Sequence, residues 1–218
     1  MKINKILEYF DELIENPHCE LNYKTDYEFL IAVMLSAQTT DKRVNQVTKV
    51  LFDKYPTLND LEQAKIEDIK EIIKPIGTYQ KKALYVKIIA KELNKKEGKI
   101  PNDRNFLESL PGVGRKTTNL VLSEIYNMPY FAVDTHVSRV SKRLGLVKTN
   151  DDVLQIEKKL TKLIPKDRIN KTHHQFILFG RYYCKAKNPD CSNCPFSDFC
   201  TYQTQLKRGK KDDKRKNK

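Results

Sequence analysis

Leu110-Pro111-Gly112-Val113-Gly114-Arg115-Lys116-Thr117 is the stretch from which the rest of this sequence is read. Apolar residues recur at helical steps on both sides of it, over 103–109 and 115–126, so the octapeptide is the turn of a helix-hairpin-helix. Gly112 and Gly114 are free to take positive φ. Lacking side chains, they expose backbone N–H groups at the amino end of the second helix, where the helix dipole favours an anion. A lone G-x-G would be an ordinary tight turn, but the whole octapeptide in a basic, helical chain reads as a phosphate grip. Lys116 begins the second helix. The positive helix end and Arg115 both disfavour an ammonium there and push toward the neutral, nucleophilic amine.

Outward from the hairpin the periodicity stays helical. Ile3, Ile6, Leu7, Phe10, Leu13 and Ile14 form one face of a first amphipathic helix that stops near Pro17. From Asp26, read as an N-cap, the stretch Tyr27–Leu35 is apolar nearly all round, which predicts a buried helix. Ser36-Ala37-Gln38-Thr39-Thr40 interrupts it, and Asp41 is placed to cap a helix carrying Val44, Val47, Val50 and Leu51. Further helices are expected over 58–73, 79–94, 135–144, 150–164 and 172–182, and Lys74-Pro75-Ile76-Gly77 stops one of them. Asp134 precedes Val137, Val140 and Leu144 as an N-cap. A carboxylate at a helix amino end stays ionised, as the stabilisation of a developing sugar cation requires. No segment alternates with period two, so the fold class is all-α.

Bulk properties narrow the partner. A chain of 218 residues, 39% hydrophobic and 32% charged, can bury a core in one large domain or two small ones, which excludes disorder. A net charge of +13 favours a polyanion, since phosphate neutralisation releases counterions. Lys207–Lys218 holds eight Lys or Arg and two Asp and reads as a disordered, solvated tail; the preceding residues remain basic without it. No run of about 18 apolar residues exists and the amino terminus has no continuous apolar centre, so an intracellular protein off the membrane is expected.

Cys184, Cys191, Cys194 and Cys200 fall in the pattern C-x6-C-x2-C-x5-C. Without a secretion signal such crowding argues for metal thiolates over disulfides. Zinc sites usually show two close knuckles, whereas only Cys191 and Cys194 are close here; the spacing leans toward an iron-sulfur cluster and leaves zinc open. Cys19, distant from the group, reads as a structural thiol.

Taken together, LSAQTTD at 35–41, LPGVGRKTTNLVL at 110–122, VDTHVSR at 133–139 and the four cysteines resemble the endonuclease III family, in order and over residues 1–200. The resemblance implies two helical domains flanking a DNA-binding cleft: a six-helix barrel over 19–128 that contains the hairpin, and an iron-sulfur domain of 1–18 plus 129–200, with 201–218 as the basic tail. It implies a DNA glycosylase and abasic-site lyase of base excision repair, a monomer working on duplex DNA at the cytoplasmic nucleoid. An oxidised pyrimidine would be flipped out of the stack. Lys116 would be the Schiff-base nucleophile, Asp134 the essential carboxylate, and the four cysteines ligands of a 4Fe-4S cluster. DNA contacts are expected at Gly112, Val113, Gly114, Arg115, Thr117 and His136, with Gln38 filling the vacated space. Two relatives by class fit less well: adenine-mismatch glycosylases lack the hairpin lysine, and a non-catalytic DNA-binding module would need neither Lys116 nor Asp134. Thr78 stands where family members commonly carry an apolar wedge, and Thr40 and Thr118 where alanine is frequent. The Thr118 hydroxyl needs a partner, for which the i−4 carbonyl is available.

Overall fold

A computed structural model describes residues 2–205. Among these residues there is no strand. The helices are α1 (Lys2–Leu13), α2 (Asp26–Leu35), α3 (Asp41–Lys54), α4 (Leu58–Gln63), α5 (Ile66–Ile73), α6 (Tyr79–Asn94), α7 (Arg104–Ser109), α8 (Arg115–Tyr126), α9 (Thr135–Arg143), α10 (Val153–Leu163) and α11 (Ile169–Tyr182). The all-α class stands, and no helix among the described residues is long and apolar enough to cross a membrane.

The chain divides into two compact units. One is Cys19–Met128 and holds α2 to α8. In its centre α2 is buried from Glu28 to Leu35, as its all-round apolar sequence demands, and it packs against α3, α6 and α8. Thr25 and Thr40 cap α2 and α3, one residue ahead of the aspartates expected to do so. Asp26 and Asp41 instead occupy the first turn, where a carboxylate complements the dipole. The single helix expected over 58–73 is two. A Thr57–Asp60 capping box fixes the start of α4, and the chain becomes extended at Ala64 and Lys65 before α5 begins. Both pieces bury their apolar residues beside α6, whose Lys87 ammonium takes the freed Ala64 carbonyl. The helical pattern survives a two-residue break unaltered, so periodicity did not reveal it.

The second unit joins Met1–His18 to the chain from Pro129 onward. Ile6, Leu7 and Phe10 of α1 share a core with Val137 and Val140 of α9 and Phe176 and Phe179 of α11. Phe10 meets Phe176 edge-on at 5.2 Å between ring centroids. Asp11 fastens the same joint, accepting from Arg168 at 2.7 Å, Lys171 at 2.7 Å and Gln175 at 3.0 Å. Residues 201–205, assigned from sequence to the tail, are helical and tied down: the Thr201 hydroxyl donates to the Arg143 carbonyl at 2.9 Å and the Gln203 amide to that of Cys191 at 2.8 Å. The rest of the expected tail, 206–218, lies outside the described residues.

Candidate functional site

In the hairpin, Val113 N–H donates to the Leu110 carbonyl at 3.1 Å and closes the turn between α7 and α8. Arg104 of α7 clamps it, donating to Glu108 at 2.9 Å and to Asn119 Oδ1 of α8 at 2.7 Å. Only one of the two glycines uses positive φ. Gly112 sits at φ +78°, where a Cβ would lie 2.8 Å from Tyr85 and 3.1 Å from Met34. Gly114 is extended, at φ −99° and ψ −177°, and an added Cβ there meets nothing within 4 Å. It is the N-cap of α8 and makes no side-chain cap bond, unlike the caps of α2, α3, α4, α7, α9 and α10. Gly114 therefore places no side-chain acceptor over the amino end of α8.

Gly112, Gly114, Arg115 and Lys116 are exposed and Thr117 is half-buried. Val113, expected as a DNA contact, has a buried side chain, and its N–H donates within the turn, so it anchors the hairpin. Thr118 is fully buried. Its own N–H takes the Gly114 carbonyl, the i−4 partner expected for its hydroxyl, and that hydroxyl has no hydrogen-bond partner among the described residues.

Gln38 lies between α2 and α3, exposed and at φ 61°. Thr78, the N-cap of α6, is exposed at φ 57°, a left-handed conformation that β-branched residues rarely adopt. Two strained backbone positions thus fall on the two loops that the sequence had linked to strand insertion.

Lys116 belongs to the Cys19–Met128 unit and Asp134 to the other. Asp134 caps α9, its Oδ1 accepting from Val137 N–H at 2.7 Å. His136, the second residue of α9, is half-buried, and its Nδ1 faces Arg139 Nη2 at 3.1 Å. Since guanidinium only donates, Nδ1 is the acceptor and the ring proton sits on Nε2. Gly180 permits this packing: a Cβ there would lie 2.9 Å from that of His136.

The four cysteines line one cavity of about 140 Å³, walled also by Tyr9, Phe179 and Arg143. Phe196, between Cys194 and Cys200, plugs the segment into the core, with Tyr9, Phe10 and Phe179 rings 5.1, 6.0 and 5.7 Å away. Burial, then the neighbouring cysteines, pushes the Cys191 thiol up; burial does the same to Cys194. Bare thiolates at Cys191 and Cys194 are thus disfavoured, which suits sulfurs whose charge iron would neutralise. Among the described residues no three Cys, His, Asp or Glu side chains converge as they would on a single ion.

Two residues missed by sequence reasoning hold this segment. Arg139 donates to the carbonyls of Gly180 at 2.7 Å and Cys184 at 3.1 Å, and Arg143 to those of Lys185 at 2.7 Å and Ala186 at 3.2 Å. Their four-residue spacing puts both on one face of α9, a visible signal, but carbonyl partners leave no trace in a sequence.

Residues 31–166 match the family model of the HhH-GPD superfamily base excision DNA repair protein, and 184–200 match the iron-sulfur binding domain of endonuclease III. Endonuclease III of Bacillus subtilis strain 168 is 42% identical over 215 residues, spanning 98% of this chain and 95% of its own. That of Rickettsia felis is 44% identical over 201 residues, 92% of this chain and 94% of the relative. A solved structure of a trapped covalent endonuclease III–DNA intermediate superposes with a TM-score of 0.88 at 45% identity, covering 94% of this chain and 98% of that one. A 4Fe-4S cluster therefore belongs to the 184–200 segment. The chain belongs to the endonuclease III family of the HhH-GPD superfamily, DNA glycosylases with abasic-site lyase activity that act in base excision repair.

Proposed function

We propose that the protein removes oxidised pyrimidines from duplex DNA and cuts the strand 3′ to the abasic site by β-elimination, with Lys116 as nucleophile and Asp134 as its carboxylate. The observation that carries this reading is the start of α8, where an uncapped amino terminus behind Gly112 and Gly114 is followed directly by an exposed lysine. Backbone amides there can hold a phosphate while the amine faces the adjoining sugar. A relative's capture in covalent linkage to DNA supports a covalent step.

In the proposed sequence the neutral Lys116 amine attacks C1′, the glycosidic bond breaks, and the base departs with its electron pair and takes up a proton. The C1′–O4′ bond then opens, O4′ taking up the proton that the bonded amine releases, and the resulting iminium acidifies C2′–H. Loss of that proton sends the electron pair to expel the 3′ phosphate, and water then releases the lysine. Asp134, fixed by its bond to Val137 N–H, supplies a negative charge to the developing sugar cation. Arg115, Thr117 and His136 Nε2 supply polar contacts to DNA, and Gln38 occupies the space left by the extruded base. Cys184, Cys191, Cys194 and Cys200 hold the cluster, which fastens the loop between α11 and residue 201 to the core. The protein works as a monomer at the nucleoid.

A duplex carrying one thymine glycol tests the reading. Release of the base together with a strand ending in a 3′ unsaturated aldehyde is the expected result. Base release with the strand intact would make the enzyme monofunctional, and no release would leave a DNA-binding module.

A further inference from the structure

Lys82 carries a charge into the interior for no acidic partner. It lies on α6 and is 5% exposed, yet it makes no ion pair among the described residues. Its Nζ donates to the carbonyls of Leu35, at 2.9 Å, and Ala37, at 2.7 Å. Leu35 is the last residue of α2, and Ala37 immediately precedes Gln38. Burial lowers the Lys82 pKa, the cost of placing an ammonium there. Leu35 is buried, but Ala37 is exposed and water could satisfy its carbonyl at no such cost, so a buried cation shared between the two ties the loop to the end of α2.

The same lysine is bound to the second strained loop. Its backbone N–H donates to the Thr78 carbonyl at 3.1 Å, in the first turn of α6. Lys82 thus grips the Gln38 loop by its side chain and the Thr78 loop by its main chain. Gln38 at φ 61° and Thr78 at φ 57° are both exposed, and left-handed non-glycine residues persist only where the surroundings over-determine them.

We propose that Lys82 is a positioning residue for base extrusion: its ammonium locks residues 36–40 to the amino end of α6, so that Gln38 and Thr78 meet the duplex as one rigid edge. This rests on the reading of Gln38 as the residue that fills the vacated space. Without the lock the loop relaxes toward ordinary backbone angles, and the gain from inserting Gln38 falls. Affinity for undamaged duplex, which has no vacated space, does not depend on it.

The test is a double-mutant cycle read as preference, the affinity for a duplex with one reduced abasic site over that for undamaged duplex. Lys82→Met lowers this preference by about tenfold or more, the scale of hydrogen bonds to a charged group, with undamaged-duplex affinity unchanged. Gln38→Ala lowers it comparably, and the double variant falls no further than the worse single one. Lys82→Arg, which keeps a cation with donors for two carbonyls, restores it. Should Lys82→Met fail to fold, Lys82→Gln, which is shorter and keeps amide donors, shows an intermediate loss. A folded Lys82→Met or Lys82→Gln protein with wild-type preference would overturn the proposal, and so would losses at 38 and 82 that multiply. Loss of preference in Lys82→Met with none in Gln38→Ala would sink the assigned role of Gln38 and the proposal with it, while abasic-site cleavage by the wild type would still stand for the function.

Discussion

A methyl group added at Gly112 would sit 2.8 Å from the Tyr85 ring on a backbone at φ +78°, whereas one added at Gly114 would meet open space. Gly112→Ala should therefore lower stability by roughly 2 kcal/mol or more and spoil the hairpin before any question of DNA arises. Gly114→Ala should melt within a degree or two of wild type yet bind DNA about tenfold more weakly, because its methyl stands between the α8 amides and a phosphate. Thermal melts paired with DNA titrations separate the two; equal effects at both positions would contradict the division of roles. Thr118 supplies a second test, since its buried hydroxyl has no partner among the described residues. Thr118→Val keeps the shape and removes that hydroxyl, so it should stabilise by about 1 kcal/mol, seen as a Tm rise of roughly 2–4 °C for a chain of this size. An unchanged or lowered Tm would mean that the hydroxyl is satisfied after all. At this scale the sequence named Lys116, Asp134 and the cysteines because each sits in a dense motif. It was silent on Lys82, Arg139 and Arg143, whose partners are backbone carbonyls, and it misjudged Gly114, whose conformation follows from its place as N-cap.

Among the elements, α2 and α11 read differently from one another. The apolar run in α2 announced burial outright, and the helix is buried from Glu28 to Leu35. The start of α11 at Ile169 was placed three residues late, because Lys166–Arg168 form a 3-10 turn with no apolar periodicity to mark it. Between α1 and α11 the Asp11 cluster makes the pH response predictable. Burial pulls the Asp11 carboxyl up, but hydrogen bonds from Lys171, Gln175 and Arg168 outweigh it and hold the pKa below 3.8. A depressed carboxylate contributes stability above its unfolded value and loses it as pH falls through the folded one. Asp11→Asn should consequently lower the Tm at neutral pH, with the gap to wild type closing as pH drops below 3.8. A gap independent of pH would assign the effect to packing. The split between α4 and α5 escaped sequence reasoning because both pieces keep the same apolar spacing.

For the molecule as a whole, helical periodicity shows which faces are apolar and leaves open which helices share a core. That α1 joins the chain beyond Pro129 is written in contacts such as Asp11 with Arg168, 157 residues apart. The resemblance in motifs carried the activity, and the geometry adds an uncapped α8 with Lys116 exposed at its second position and Asp134 fixed as the cap of α9. The central claim is that Lys116 forms the imine. Borohydride reduction during reaction with a duplex bearing an abasic site measures this directly. Wild type should be trapped in a covalent complex, and Lys116→Gln should give none and cut no strand while still binding the duplex, since the amides of Gly112 and Gly114 are untouched. A Lys116→Gln protein trapped and cleaving at the wild-type rate would contradict the account.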